Sequence, residues 1–141
     1  MTNVSGIGKV YKEHKGCVFI EVSREKMTEA MEMLKKRGFT RISSITGYDS
    51  GKGFEVIYHF DSPEHRLVSI KARLPAANPQ VESITRHFRG AELFERELME
   101  MTGIEVLGHP NPGKLFLCED SPVCPLRKME EKSDKEKQER K

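Results

Sequence analysis

Phe54-Glu55-Val56-Ile57-Tyr58-His59-Phe60 is the stretch on which the fold turns. Strand side chains alternate between two faces, so Phe54, Val56, Tyr58 and Phe60 share one apolar face, and Glu55 and His59 lie on the other. Upstream, Phe39 to Tyr48 reads as a strand, and Asp49-Ser50-Gly51-Lys52-Gly53 is a glycine-containing turn that joins the two into a hairpin. Downstream, after a turn at Ser62-Pro63-Glu64, Arg66 to Leu74 alternates again. Val68, Ile70, Ala72 and Leu74 occupy one face, with Lys71 and Arg73 opposite. Three strands therefore form an antiparallel meander, whose polar face is either solvated or covered by another polypeptide.

Working outward, Cys17 to Val22 is a short apolar run of β character that ends at Ser23, a residue suited to capping a helix. From Arg24, the apolar residues Met27, Ala30, Met31 and Leu34 follow helical spacing. Lys35-Lys36-Arg37 complement the dipole of the last turn, and Gly38 ends the helix. Pro75 to Pro79 interrupts the sheet, and Gln80 to His87 is expected to form a short helical turn. A second helix spans Ala91 to Thr102 and stops at Gly103. Its apolar stripe is read as Ala91, Phe94, Leu98 and Met101, so that Glu92, Glu95, Arg96 and Glu100 project from the remaining surface. Gly108-His109-Pro110-Asn111-Pro112-Gly113 then dictates an irregular loop. The expected fold is α+β: an antiparallel sheet in strand–helix–three-strand order, packed with two main helices.

The chain has 141 residues and 16.1 kDa, room for one compact domain, expected over residues 16–126. Residues 1–15 read as a flexible N-terminus. Arg127 to Lys141 holds seven basic and five acidic residues and one apolar side chain, Met129, so it reads as a charged, disordered tail. The net charge of +2 equals the charge of that tail, which leaves the folded part near neutral. A nucleic-acid footprint needs a basic folded face and is excluded. No apolar run reaches the ~18 residues of a membrane span and the start lacks a secretory core, so a cytoplasmic location is expected.

Three cysteines without a C-x-x-C spacing write neither a disulfide framework nor a standard metal set, and they fit a reducing compartment. His109, Cys118 and Cys124 could be drawn as a metal site, but their spacing does not chelate from one tight turn. Cys118, His109 and Glu119 are too close in sequence to make a convincing nucleophilic triad. Gly6-Ile7-Gly8-Lys9 and Gly51-Lys52-Gly53 lack phosphate-loop spacing and read as turns. His59 and His65 read as structural, and Met27, Met31 and Met33 as core filler.

Glu95-Arg96-Glu97-Leu98-Met99-Glu100-Met101-Thr102-Gly103-Ile104, followed by Gly108-His109-Pro110-Asn111 and Leu115 to Asp120, resembles the signature of the 30 kDa subunit family of respiratory complex I. Phe54 to Phe60 with Leu67 to Leu74 is similar to that family's central hairpin, and Pro125-Leu126-Arg127-Lys128 to its proline–leucine–arginine–lysine element. The resemblance implies a scaffold domain that is not catalytic alone and binds no cofactor of its own. It would dock on the cytoplasmic side onto a large subunit that holds the quinone site or the nickel–iron site, beside an iron–sulfur subunit, peripheral to the cytoplasmic membrane. Nickel–iron or iron–sulfur centres are then expected in the partners. The implied partner interface comprises Glu92, Glu95, Arg96, Glu97, Glu100, Gly103, Gly108, His109, Pro110, Arg127 and Lys128.

Two departures bear on the subtype. Quinone-reducing members follow the His-Pro step with an arginine pair, where this chain has Pro112-Gly113-Lys114, and they carry Trp or Tyr before Glu-Arg-Glu, where this chain has Leu93-Phe94. Those members are also commonly longer. The chain therefore resembles the counterpart in membrane-bound, energy-converting nickel–iron hydrogenases, with the 30 kDa subunit of a complex I-like quinone oxidoreductase as the alternative.

Overall fold

The computed structural model describes residues 6–62, 66–112 and 124–126. Its elements, in chain order, are β1 (Lys9–His14), β2 (Cys17–Glu21), α1 (Met27–Lys36), β3 (Arg41–Asp49), β4 (Gly53–Asp61), β5 (Leu67–Pro75), β6 (Gln80–Glu82), α2 (Ala91–Thr102) and β7 (Glu105–Leu107). The expected meander is present as β3–β4–β5, with Val56 opposite Ala72 and Tyr58 opposite Ile70 across the antiparallel β4/β5 ladder. This register sets the apolar side chains of neighbouring strands in a common layer. Val56, Tyr58, Phe60, Val68, Ile70 and Ala72 are fully buried there, together with Met27, Met31 and Leu34 of α1.

The fold is α+β, as expected, but the sheet is mixed rather than antiparallel throughout. Strand order is β1-β2-β5-β4-β3, and β2 joins β5 in parallel. The cause is the crossover through α1: the helix carries the chain across the apolar face and delivers β3 to the far edge. The meander then returns strand by strand until β5 fills the gap beside β2. Residues 9–14, expected to be loose, form strand β1 on the edge next to β2. Val10 and Tyr11 remain exposed there, so burial does not explain this strand; ladder bonds to β2 do.

Two local expectations also change. Ser23 makes no side-chain cap; a short 3-10 turn at Arg24–Lys26, closed by Lys26 N–H donating to Ser23 O (3.0 Å), intervenes before α1. Residues 80–82 form β6, which pairs in parallel with β7, and only 85–87 turn. Val81 and Val106 are paired in that ladder and buried, so a two-residue apolar match overrides the local turn preference. No helix among the described residues is long and apolar enough to cross a membrane.

Candidate docking surface

Helix α2 sits against β3, and Gly47 is what allows it. A Cβ at Gly47 would run into Leu98 Cδ1 and lie 3.0 Å from Thr102 Cγ2. With the helix so close at Leu98 and Thr102, the side chains that face inward are Ala91, Glu95, Leu98 and Thr102, not Ala91, Phe94, Leu98 and Met101. Phe94 is only partly buried against the core. Glu95, expected to project outward, is 1% exposed.

A buried carboxylate needs donors, and the segment after β6 supplies them. Ile84 N–H donates to Glu95 Oε1 (2.7 Å) and Ser83 Oγ–H to Glu95 Oε2 (2.7 Å). Burial pushes the Glu95 carboxyl above its ordinary range, opposed by these two bonds and by His109. Tyr58 of β4 feels the same carboxylate: burial first, and the charge of Glu95 second, push its phenol far up. Its hydroxyl is buried without a hydrogen-bond partner among the described residues.

Gly103, at φ 73°, ends α2 with its N–H on Met99 O, as its position in the sequence implies. After β7, Gly108 takes φ 77° and turns the chain back over α2, so that His109 enters the interior while Pro110, Asn111 and Pro112 stay exposed. The imidazole Nε2 contacts Glu92 O at 2.9 Å and lies 3.8 Å from Glu95 Oε2. Its Nδ1 accepts the Asn111 N–H at 3.0 Å. Glu95 and His109 thus anchor α2, the segment after β6 and the loop after β7 to one another.

The structure consequently divides the expected interface residues. Glu95 and His109 are interior supports. Glu97, Gly108 and Pro110 are exposed, and Glu92, Arg96, Glu100 and Gly103 are half-buried. Arg96 and Glu100 each have interaction partners. Arg127 and Lys128 lie outside the described residues, although Leu126 N–H reaches Met101 O (2.9 Å) and ties residues 124–126 to the end of α2. Sequence reading missed Leu93, an apolar side chain 56% exposed on α2, and Leu126, 60% exposed. Leu93 was detectable as an apolar residue off the buried stripe. Ser83 and Tyr58 carried no such signal.

On the opposite face of the sheet, charges pair with one another: Arg73 with Glu21 (3.1 Å) and Glu55 (3.8 Å), Lys71 with Glu55 (3.9 Å) and over the Tyr11 ring (4.4 Å). His59 is bonded there to Ser69 (2.8 Å) and Thr46 (3.3 Å), and burial lowers its pKa, in keeping with a structural histidine. His65 lies outside the described residues. Among the described residues no three His, Cys, Asp or Glu side chains gather as a metal site, and Cys118 of the drawn His109–Cys118–Cys124 set lies outside them.

The chain is thus an α+β domain with a five-stranded mixed sheet, in which an interior carboxylate and histidine brace α2, the segment after β6 and the loop after β7. The family model for the respiratory-chain NADH dehydrogenase 30 kDa subunit matches residues 20–136, and the chain belongs to that family. It is 32% identical over 127 residues to the J subunit of NAD(P)H-quinone oxidoreductase from Prochlorococcus marinus strain NATL1A, covering 83% of this chain and 73% of that one. It is 34% identical over 113 residues to the C/D subunit of NADH-quinone oxidoreductase from Phocaeicola vulgatus, covering 77% of this chain and 22% of that one. Among solved structures, the fold is similar to a trypsin-resistant fragment of Nqo5 (TM-score 0.67, 24% identity, 73% of this chain and 88% of that one). It is also similar to a chain of an archaeal membrane-bound sulfane sulfur reductase (TM-score 0.75, 17% identity, 95% and 85%).

Proposed function

We propose that this chain is a non-catalytic scaffold subunit of a complex I-like membrane oxidoreductase, docking on the large redox subunit through the outer face of α2 and the loop 108–112. The observation that carries the reading is that the family's Glu-Arg-Glu and His-Pro residues form one braced unit. Glu95 and His109 hold it from inside, while Leu93, Glu97 and Pro110 are presented outside. Presenting fixed side chains on a rigid frame lowers the ordering cost of association. The Phocaeicola vulgatus relative bears the double name C/D, which supports a D-type large subunit as the neighbour of this chain. In this reading the chain binds no cofactor, nickel–iron or iron–sulfur centres reside in the partners, and the assembly is peripheral to the cytoplasmic membrane.

Two readings of the complex follow. Relatives at 32–34% identity are named as parts of quinone oxidoreductases, which supports a quinone-reducing assembly. Pro112-Gly113-Lys114 and Leu93-Phe94, in place of an arginine pair and a preceding Trp or Tyr, support an energy-converting nickel–iron hydrogenase. Affinity purification of the tagged full chain from its native cell in mild detergent, with mass spectrometry, decides between them. A large subunit with paired C-x-x-C motifs marks the hydrogenase, and the same partner without them marks the quinone-reducing complex. Recovery of the chain alone, or with stoichiometric nickel, iron or flavin of its own, overturns the scaffold reading.

A further inference from the structure

We propose that the cavity between the start of α1, the segment after β6 and the end of β7 is a socket for an acidic side chain of the large subunit, whose carboxylate Arg86 holds. The proposal rests on the docking reading and extends it to the chemistry of the partner. The cavity measures about 340 Å3, toward the small end of the sizes that enclose a ligand. Thr28, Glu82, Ser83, Thr85, Arg86 and His87 give it a polar lining. Leu107 and Gly108 complete the wall and lead directly into the loop that docks. Leu107 is 41% exposed, and a Cβ on Gly108 would meet nothing within 4 Å, so this wall opens outward beside Pro110.

A rigid turn presents Arg86. Ile84 and Phe88 are buried at its two ends, the N–H groups of His87 and Phe88 both donate to Ile84 O (3.0 and 2.8 Å), and Ile84 N–H is itself held by Glu95. Arg86 is exposed between these anchors, and its guanidinium makes no hydrogen bond or ion pair with the described residues. The hydroxyls of the cavity are already engaged. Ser83 Oγ–H donates to Glu95, which leaves the Ser83 oxygen to accept from Thr85 Oγ1–H (2.8 Å), and Thr28 Oγ1–H donates to Glu82 Oε2 (2.7 Å). The polar capacity left over is the fork of Arg86, the ring of His87 and the second oxygen of Glu82. A guanidinium fork matches a carboxylate with two parallel bonds, and Glu82 Oε1 can accept a main-chain N–H of the segment that brings it. An apolar side chain seated here would strip water from Arg86 and return no bond, and a basic one would add like-charge repulsion. Aspartate or glutamate on a polypeptide is the complement of this set.

The test expresses the tagged full chain and its variants in the native cell and measures how much large subunit each recovers. Arg86→Glu should lower recovery by about tenfold while the melting temperature of the isolated chain stays native, because Arg86 is exposed and makes no contact that the fold needs. Arg86→Lys supplies a direct reading. A water-soluble carbodiimide joins an amine to a carboxyl as an amide with loss of water, so mass spectrometry of the treated complex should find position 86 linked to an Asp or Glu of the large subunit. The native chain, which has no amine there, should show no such link. Undiminished recovery with Arg86→Glu overturns the socket, as does a loss of recovery matched by a loss of melting temperature. So does an intact Arg86→Lys complex in which position 86 links to nothing or to another subunit. Should Arg86→Glu fail to fold, the cross-link decides alone. Recovery that survives Arg86→Glu but not Leu93→Asp leaves the docking face standing without the socket, whereas a native chain that recovers no large subunit overturns the docking reading and the socket with it.

Discussion

Glu95 occupies a place that helix periodicity normally gives to leucine, and its consequences are electrostatic. Its carboxylate accepts from Ile84 N–H and Ser83 Oγ–H, so Glu95→Ala strands a buried main-chain donor and should cost about 2–4 kcal/mol in a urea titration. Glu95→Gln retains an acceptor and should cost less. The pH dependence has a definite sign. Burial raises the folded-state pKa above its ordinary 4.5, so between the two values the folded chain keeps a proton that the unfolded chain has lost. Acidification toward the ordinary carboxylate range should therefore stabilise the native chain relative to Glu95→Gln. A stability gap that does not change with pH would show that the carboxyl titrates normally. Tyr58 supplies the converse case. Its hydroxyl is buried with no partner among the described residues, so Tyr58→Phe removes a desolvated group and should leave the thermal midpoint unchanged or higher.

At the scale of elements, α2 shows how much a sequence pattern says and where it stops. The helix, its length and its glycine stop follow from local rules, and all three are found, with Gly103 at the C-cap. Its phase does not follow. Ala91, Phe94, Leu98 and Met101 and the observed Ala91, Glu95, Leu98 and Thr102 are both helical stripes, a fraction of a turn apart. The choice falls to Gly47 on β3, the hole into which Leu98 and Thr102 fit. Gly47→Ala should overpack this contact and destabilise the chain by about 1–3 kcal/mol, measurable by thermal melting with no loss of the β3–β4 hairpin. A neutral substitution would mean that α2 shifts freely along β3. The strand β2 is a similar case: its existence was legible in Cys17 to Val22, its parallel partner β5 was not.

For the whole molecule, stability and docking use different residues. The core lies on one face of the five-stranded sheet, and Leu93 lies outside it on α2, 56% exposed. Leu93→Asp should leave the melting temperature of the isolated chain close to native, since surface changes stay within about 0.5 kcal/mol, and should reduce capture of the large subunit. Equal loss of both would make Leu93 structural. What the sequence by itself determined was the alternating meander, two helices with glycine ends and the family to which the chain belongs. Those depend on side-chain period, backbone sterics and residue identity over a few neighbouring positions. The tertiary structure alone decided the parallel β2–β5 ladder, the phase of α2 and the interior places of Glu95 and His109. Glu95 meets Ile84 eleven residues away, and His109 meets Glu92 seventeen away. Pairings at that range are selected by the packing of the whole chain, which finds donors for a buried carboxylate wherever the fold brings them.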